Sequence, residues 1–227
     1  MQYQPTVADI ILVKKSLASL PIELIDGILD EASYWPHSSL TIAWRDSVPS
    51  QRRNSGGDKM YMRTLPLAIY GTDINIALPA RRQYGGEYPA RKVIFELWSK
   101  DQGWSNEIAN RGTYNGSSTW FDADVETLRH FGSEHPFLPS PTHLQRNIHA
   151  KNKVHHHTVV WHYLDSIEEG STAAFEAEAR GQGWKSLNGT FVRSLKVGDC
   201  ITLWMRARFP TRRLDITKAK ISVYWAV

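Results

Sequence analysis

Cysteine is nearly missing from this chain of 227 residues, and Cys200, the single one, cannot form an internal disulfide. A disulfide-stapled scaffold is therefore excluded and a reducing compartment is allowed. Long apolar runs are missing too: no stretch approaches the roughly 20 residues needed to cross a bilayer, so no membrane contact is expected. The N-terminus shows no basic region leading into an apolar segment and a small-residue cleavage site, which gives a cytoplasmic expectation. Charge of one sign is scarce, with 27 Lys plus Arg against 23 Asp plus Glu and a formal net charge of +4. Solubility accounts for that balance, a dedicated nucleic-acid binder carries more on one face, and no nucleic-acid partner is expected. Nucleophile elbow, P-loop, dinucleotide fingerprint, Cys-x-x-Cys pair and metalloprotease helix are all absent from the sequence. An enzyme built on it would need no cofactor.

Aromatic residues are plentiful. Nine Trp and nine Tyr stand in a chain that is 41% hydrophobic, enough for a sizeable core with rings to spare for a ligand. In the first forty residues, apolar positions recur every three to four, from Val7 and Ile10 to Ile28 and Leu29, and Pro21 and Glu23 mark a helix start. The expected helix covers about 21–33, inside a helical leader spanning 1–45. Residues 46–59, polar and glycine-containing, read as a flexible loop, and 60–227 as one β domain.

Within that domain the period changes to two. Leu65, Leu67 and Ile69, then Ile74, Ile76 and Leu78, predict short strands, and Pro79 to Pro89 a loop. Arg91 to Trp98 predicts a central strand with Val93, Phe95 and Leu97 on one face. Thr158–Leu164, Ser171–Ala179, Cys200–Phe209 and Lys218–Val227 predict four more. Asp101–Ser118 and Ser133–His149 read as long connections, the first being the expected place for a site. Phe95-Glu96 with Gln102-Gly103-Trp104 is echoed by Phe175-Glu176 with Gln182-Gly183-Trp184, which predicts one strand-and-loop unit used twice, with return strands at 118–121 and 189–192. The fold class expected is all-β: an antiparallel β-sandwich or jelly-roll behind a short helical leader.

Few residues carry an obvious chemistry. His155 and His157 share a strand face with Trp161 and Tyr163, a spacing known from metal sites, but two ligands without a third read as hydrogen-bonded histidines, and no metal is expected. Arg206 and Arg208 beside Trp204 could grip an anion or form a solvated outer face. Asp122 and Asp124 share a face without ensuring the separation a glycosidase requires, and Glu176 and Glu178 read as the wet side of an edge strand.

Leu20-Pro21-Ile22-Glu23-Leu24-Ile25-Asp26-Gly27-Ile28-Leu29, continued by Ala32-Ser33-Tyr34-Trp35-Pro36, resembles the opening helix of an F-box as carried by many fungal proteins. The later segments Asp101-Gln102-Gly103-Trp104-Ser105, Gly112-Thr113-Tyr114, Thr119-Trp120-Phe121 and Val223-Tyr224-Trp225-Ala226-Val227 resemble a set of uncharacterised fungal proteins. The domain is also similar to cofactor-free cyclases of fungal biosynthesis, of the hetero-Diels-Alderase kind. That resemblance implies secondary metabolism and a small apolar partner, a terpenoid or polyketide that is cyclised or isomerised.

Ring content without a catalytic motif fits such a reaction, since it leaves aromatic walls and a few polar groups to do the work. Trp98, Trp104, Tyr114, Trp120 and Trp161 are the expected substrate-binding walls. Gln102, His157 and Arg206 are the expected catalytic groups, with Gln102 and Arg206 donating to developing negative charge and His157 orienting a carbonyl. The alternatives are a carbohydrate-binding, lectin-like sandwich that stacks Trp and Tyr on sugar rings, and an F-box-type adaptor. Self-association is left open.

Overall fold

Thr6 starts the first helix, α1 (Val7–Ser16), through a reciprocal capping box: its hydroxyl accepts from the Asp9 N–H, and the Asp9 carboxylate accepts from the Thr6 N–H. The computed structural model describes residues 4–50, 57–68, 88–127 and 142–227. Helix α2 (Ile22–Glu31) follows Pro21, close to the predicted span, and buries Ile25 and Leu29 four residues apart. A Lys14–Asp26 ion pair of 2.6 Å ties α1 to α2.

Among the described residues the strands make two antiparallel sheets. The first is ordered β1 (His37–Ile42), β9 (Arg213–Trp225), β4 (Ala90–Lys100), β7 (His155–His162), with β2 (Asp46–Pro49) also pairing on β9. The second is ordered β3 (Gly57–Arg63), β8 (Cys200–Ala207), β5 (Thr119–Glu126), β6 (Thr142–Arg146). Alternation aims one set of side chains inward from every strand. Val93, Phe95 and Leu97 of β4, Val159 and Trp161 of β7, and Leu203 and Met205 of β8 are all fully buried. They belong to one apolar cluster that draws on both sheets and on Ile25 and Leu29 of α2. Each such side chain contributes about 1.5–3 kcal/mol by leaving water.

Several expectations need correction. The segment read as a leader supplies β1, whose His37–Ile42 pairs along Tyr224–Ala219, so it shares a sheet with β9 of the β domain. The loop expected over 46–59 holds β2 and the start of β3; residues 51–56 lie outside the described residues, as do Ile69, Ile74, Ile76, Leu78 and 79–87. Leu65 and Leu67 sit in a coil and a turn, and β6 occupies part of the connection expected at 133–149. Phe209, expected to close the strand facing inward, lies two residues past the end of β8, in a bend at 71% exposure.

Ser171–Ala179 is a helix, α3 (Thr172–Ala179): the Ser171 hydroxyl accepts from the Ala174 N–H, and Ala174 and Ala177, three apart, are buried. Alanine and glutamate favour helix, and their apolar–polar alternation is what imitated a strand. Glu176 and Glu178 therefore stand on a helix surface, not on an edge strand. Helix α4 (Thr190–Ser194) replaces the second return strand. The two Gln-Gly-Trp copies thus follow a strand and a helix, and the sequence echo is not a structural repeat.

Candidate functional site

One end of the core is polar. Strand β7 alternates so that His157, opposite Leu97 of β4, faces inward with Val159 and Trp161. Over it lies the long 101–118 connection, tied to 149–151 by a carboxylate at its start and by backbone pairing farther along. The Asp101 carboxylate accepts from the N–H groups of Gly103, Ala150 and Lys151 at 2.7–3.0 Å. Farther along, Gly112 donates to the His149 carbonyl and His149 N–H to the Thr113 carbonyl. Beneath the connection, Ser99 donates to Asn147 and Asn147 to Thr119, all three fully or almost fully buried.

These ties hold Tyr114 over β7. Its hydroxyl lies 3.1 Å from His157 Nε2, and the two rings meet edge to face with centroids 5.8 Å apart. The other side of the Tyr114 ring rests on Gly181, where φ is 75° and a Cβ would fall 2.4 Å from the ring. Glycine is required there on both counts. Gly181→Ala will therefore push Tyr114 off His157 and cost more than about 1 kcal/mol in urea unfolding; an unchanged Tyr114 ring environment by NMR contradicts this packing.

His157 is 8% exposed and its Nδ1 has no hydrogen-bond partner. Burial, and then the neighbouring His155 and His156, push its pKa down to about 4, so the ring is neutral at pH 7. Burial also raises the Tyr114 phenol. A neutral imidazole of so low a pKa is a weak base, and its chemical use is as a hydrogen-bond donor. With the proton on Nε2, His157 donates to Tyr114 Oη, which leaves the phenol proton free to point outward. His149, 1% exposed and with neither ring nitrogen partnered, adds a second buried polar group to this end of the core.

The remaining expected site residues do not gather here. Gln102 closes its own turn, with Nε2 donating to the Trp104 carbonyl and Oε1 accepting from Arg213 N–H. Trp104 is 47% exposed with the Arg212 guanidinium over its ring. Trp98 lies on the outward face of the first sheet, stacked at 4.1 Å on His156 with the Lys218 ammonium 4.3 Å from its ring centroid. Trp161 is solid core, 0% exposed between Phe95 and Phe191. These rings do not share a hollow: alternation sends Trp98 and Trp161 to opposite faces of one sheet, and Trp120 belongs to the other sheet.

Arg206 and Trp120 do meet, as cross-strand partners facing away from the core. Arg206 pairs with Asp122 at 2.8 Å and with Asp58 at 2.9 Å, and Trp120 Nε1 donates to Asp122 at 2.9 Å. Asp122 is 6% exposed, and burial raises its pKa against the opposing pull of Arg206 and Trp120. Nearby His143 is pushed to about 4 by burial and Arg146. Both acidic oxygens of Asp122 are thus occupied, and Arg206 is a structural counter-ion here, not a free donor.

Sequence reasoning missed Asp101, Asn147, His149 and Gly181. Asp101 carried a readable signal, an Asp two residues before a turn glycine. The others become visible only once β4, β5 and β6 are brought together. Among the described residues, no group of three or more His, Cys, Asp or Glu side chains is arranged to hold a metal ion, and no helix is long and apolar enough to cross a membrane. Compared with known protein families the chain matches none, and no curated protein matches it.

Proposed function

We propose that this chain is a cofactor-independent cyclase or isomerase acting on an apolar terpenoid or polyketide carbonyl compound, with Tyr114 and His157 as its working pair and its two sheets stacked as a sandwich. The observation that supports it is the 3.1 Å contact between a neutral, buried imidazole and a half-buried phenol on the long connection. A chain of donors, His157 Nε2–H to Tyr114 Oη–H to a substrate oxygen, lowers the energy of a transition state in which that oxygen gains negative charge. No proton has to leave the protein. Trp98, Trp120, Gln102 and Arg206 take no part in it.

The test is a probe reaction: cycloaddition of an ortho-quinone methide, generated in situ, with an apolar alkene. Tyr114→Phe should lower the protein's acceleration by about 100-fold, the loss expected of one oxyanion donor. Equal rates for wild type, Tyr114→Phe and His157→Gln would sink the reading.

One observation favours an adaptor as a second reading. Leu24 and Ile28, four apart on α2, are 56% and 47% exposed, and with Gly27 and Ala32 they form an apolar groove rimmed by Glu23 and Glu31. Exposed apolar surface of this kind commonly marks a docking face. If Leu24→Glu with Ile28→Glu leaves every co-purifying protein in place, that reading fails. Sugar stacking gains no support from Trp98, Trp104, Trp120 and Trp204, each of which already carries a cation against a ring face.

A further inference from the structure

A notch opens in the first sheet where β1 ends and β2 begins, both pairing with β9. Strand β9 pairs with β1 through Ala219 and with β2 from Ile216, so the corner 43–45 stands opposite Thr217 and Lys218 without ladder partners. On its other side β9 is bulged: Trp98 pairs with Lys218 and Ser99 with Ile216, which leaves Thr217 as the extra residue, its hydroxyl donating to the Trp98 carbonyl. The corner is held firmly, since the Tyr61 hydroxyl donates to the carbonyls of Trp44 at 2.6 Å and Ile42 at 3.4 Å.

The resulting groove measures about 450 Å³, within the usual range of ligand sites, and is lined by Arg45, Asp46, Ser47, Lys100, Val154, Asp215, Ile216 and Thr217. Arg45 and Lys100 face Asp46 and Asp215 in this lining, but both carboxylates are also drawn to cations beyond it. Asp46 is paired with Lys59 at 2.6 Å and Asp215 with Arg213 at 2.9 Å, both cations standing outside the lining. Lys100 reaches Asp215 only at 4.0 Å and donates to the neutral Asn152 side chain. Arg45 is exposed and pairs with no carboxylate among the described residues. Two cations therefore face the groove with their acidic neighbours already engaged, beside the apolar surface of Val154. A guanidinium fork matches a planar carboxylate in two parallel hydrogen bonds.

From this arrangement we infer that the notch is a separate ligand site, for a small carboxylate carrying an apolar body. The carboxylate sits between Arg45 and Lys100, the apolar part lies along Val154, and the Ser47 and Thr217 hydroxyls offer further polar contacts. The site stands apart from Tyr114 and His157, which face the core side of the same sheet.

The test uses the full chain, amide NMR, 4-phenylbutyrate as the probe, and 4-phenylbutan-1-ol as its neutral counterpart. Phenylbutyrate should shift the amides of Asp46, Ser47, Ile216 and Thr217 with saturation on the order of 1 mM. Arg45→Ala should weaken that at least about tenfold, and Lys100→Met should weaken it less, the ammonium being partly engaged already. The proposal is overturned if the alcohol shifts the same amides as strongly, if Arg45→Ala binds equally well, or if no saturable shift occurs there. The amides of Tyr114 and His157 report separately on the catalytic reading, so failure of one is distinguishable from failure of the other.

Discussion

Taking the chain from pH 7 to pH 4 will cost the folded state roughly 3 kcal/mol through His157 alone, and His157→Gln will remove that part of the loss. The size follows from a folded pKa of about 4 against an ordinary 6.5. The sign follows from the same pair of values. Between 6.5 and 4 the unfolded chain binds a proton at this imidazole and the folded chain does not, so stability is full above 6.5 and falls as pH drops toward 4. The total curve is a mixture, because burial raises Asp101, Asp122 and Asp124 and these acids favour the folded state as pH falls. The difference between wild type and His157→Gln in urea unfolding, read at pH 7 and again at pH 4, isolates the histidine. A difference that stays constant with pH contradicts the buried, neutral assignment.

Arg206→Met is the second large effect. It strands Asp122, 6% exposed, without its main cation, and a buried carboxylate left alone costs about 3–5 kcal/mol. Adding Asp122→Asn should return much of that loss, since the neutral amide keeps a partner in Trp120 Nε1 and carries no charge to solvate. The two single variants and the double variant form a cycle in denaturant unfolding. If Arg206→Met costs under about 1 kcal/mol, the pair is a surface contact and the outer face of the second sheet is open to water around Asp122.

Alternation made β4, β8 and β9 legible, because strands with apolar groups every second residue have a single way to face a core. Helix α2 was legible from its three-to-four spacing and from Pro21. Helix α3 was not, since Thr-Ala-Ala-Phe-Glu-Ala-Glu-Ala alternates as a strand would while its composition favours a helix. For the site, period two says which residues share a face, and it placed His157 correctly beside Trp161. It does not say how rings on different strands are partnered. Trp98, Trp120 and Trp161 were each plausible as walls, yet cross-strand lysines, arginines and phenylalanines occupy them. Tyr114 and His157 were both candidates, but their meeting across 43 residues depends on Asp101 and on the close approach of Gly181.

Titration of the His157 ring by nitrogen-15 NMR, in wild type and in Tyr114→Phe, reaches the central claim most directly. A midpoint near pH 4, a proton on Nε2 in the neutral form, and a displaced Nε2 resonance once the phenol is removed are the results expected of a donor chain running through Tyr114. A midpoint near 6.5 that ignores the loss of the Tyr114 hydroxyl would contradict it.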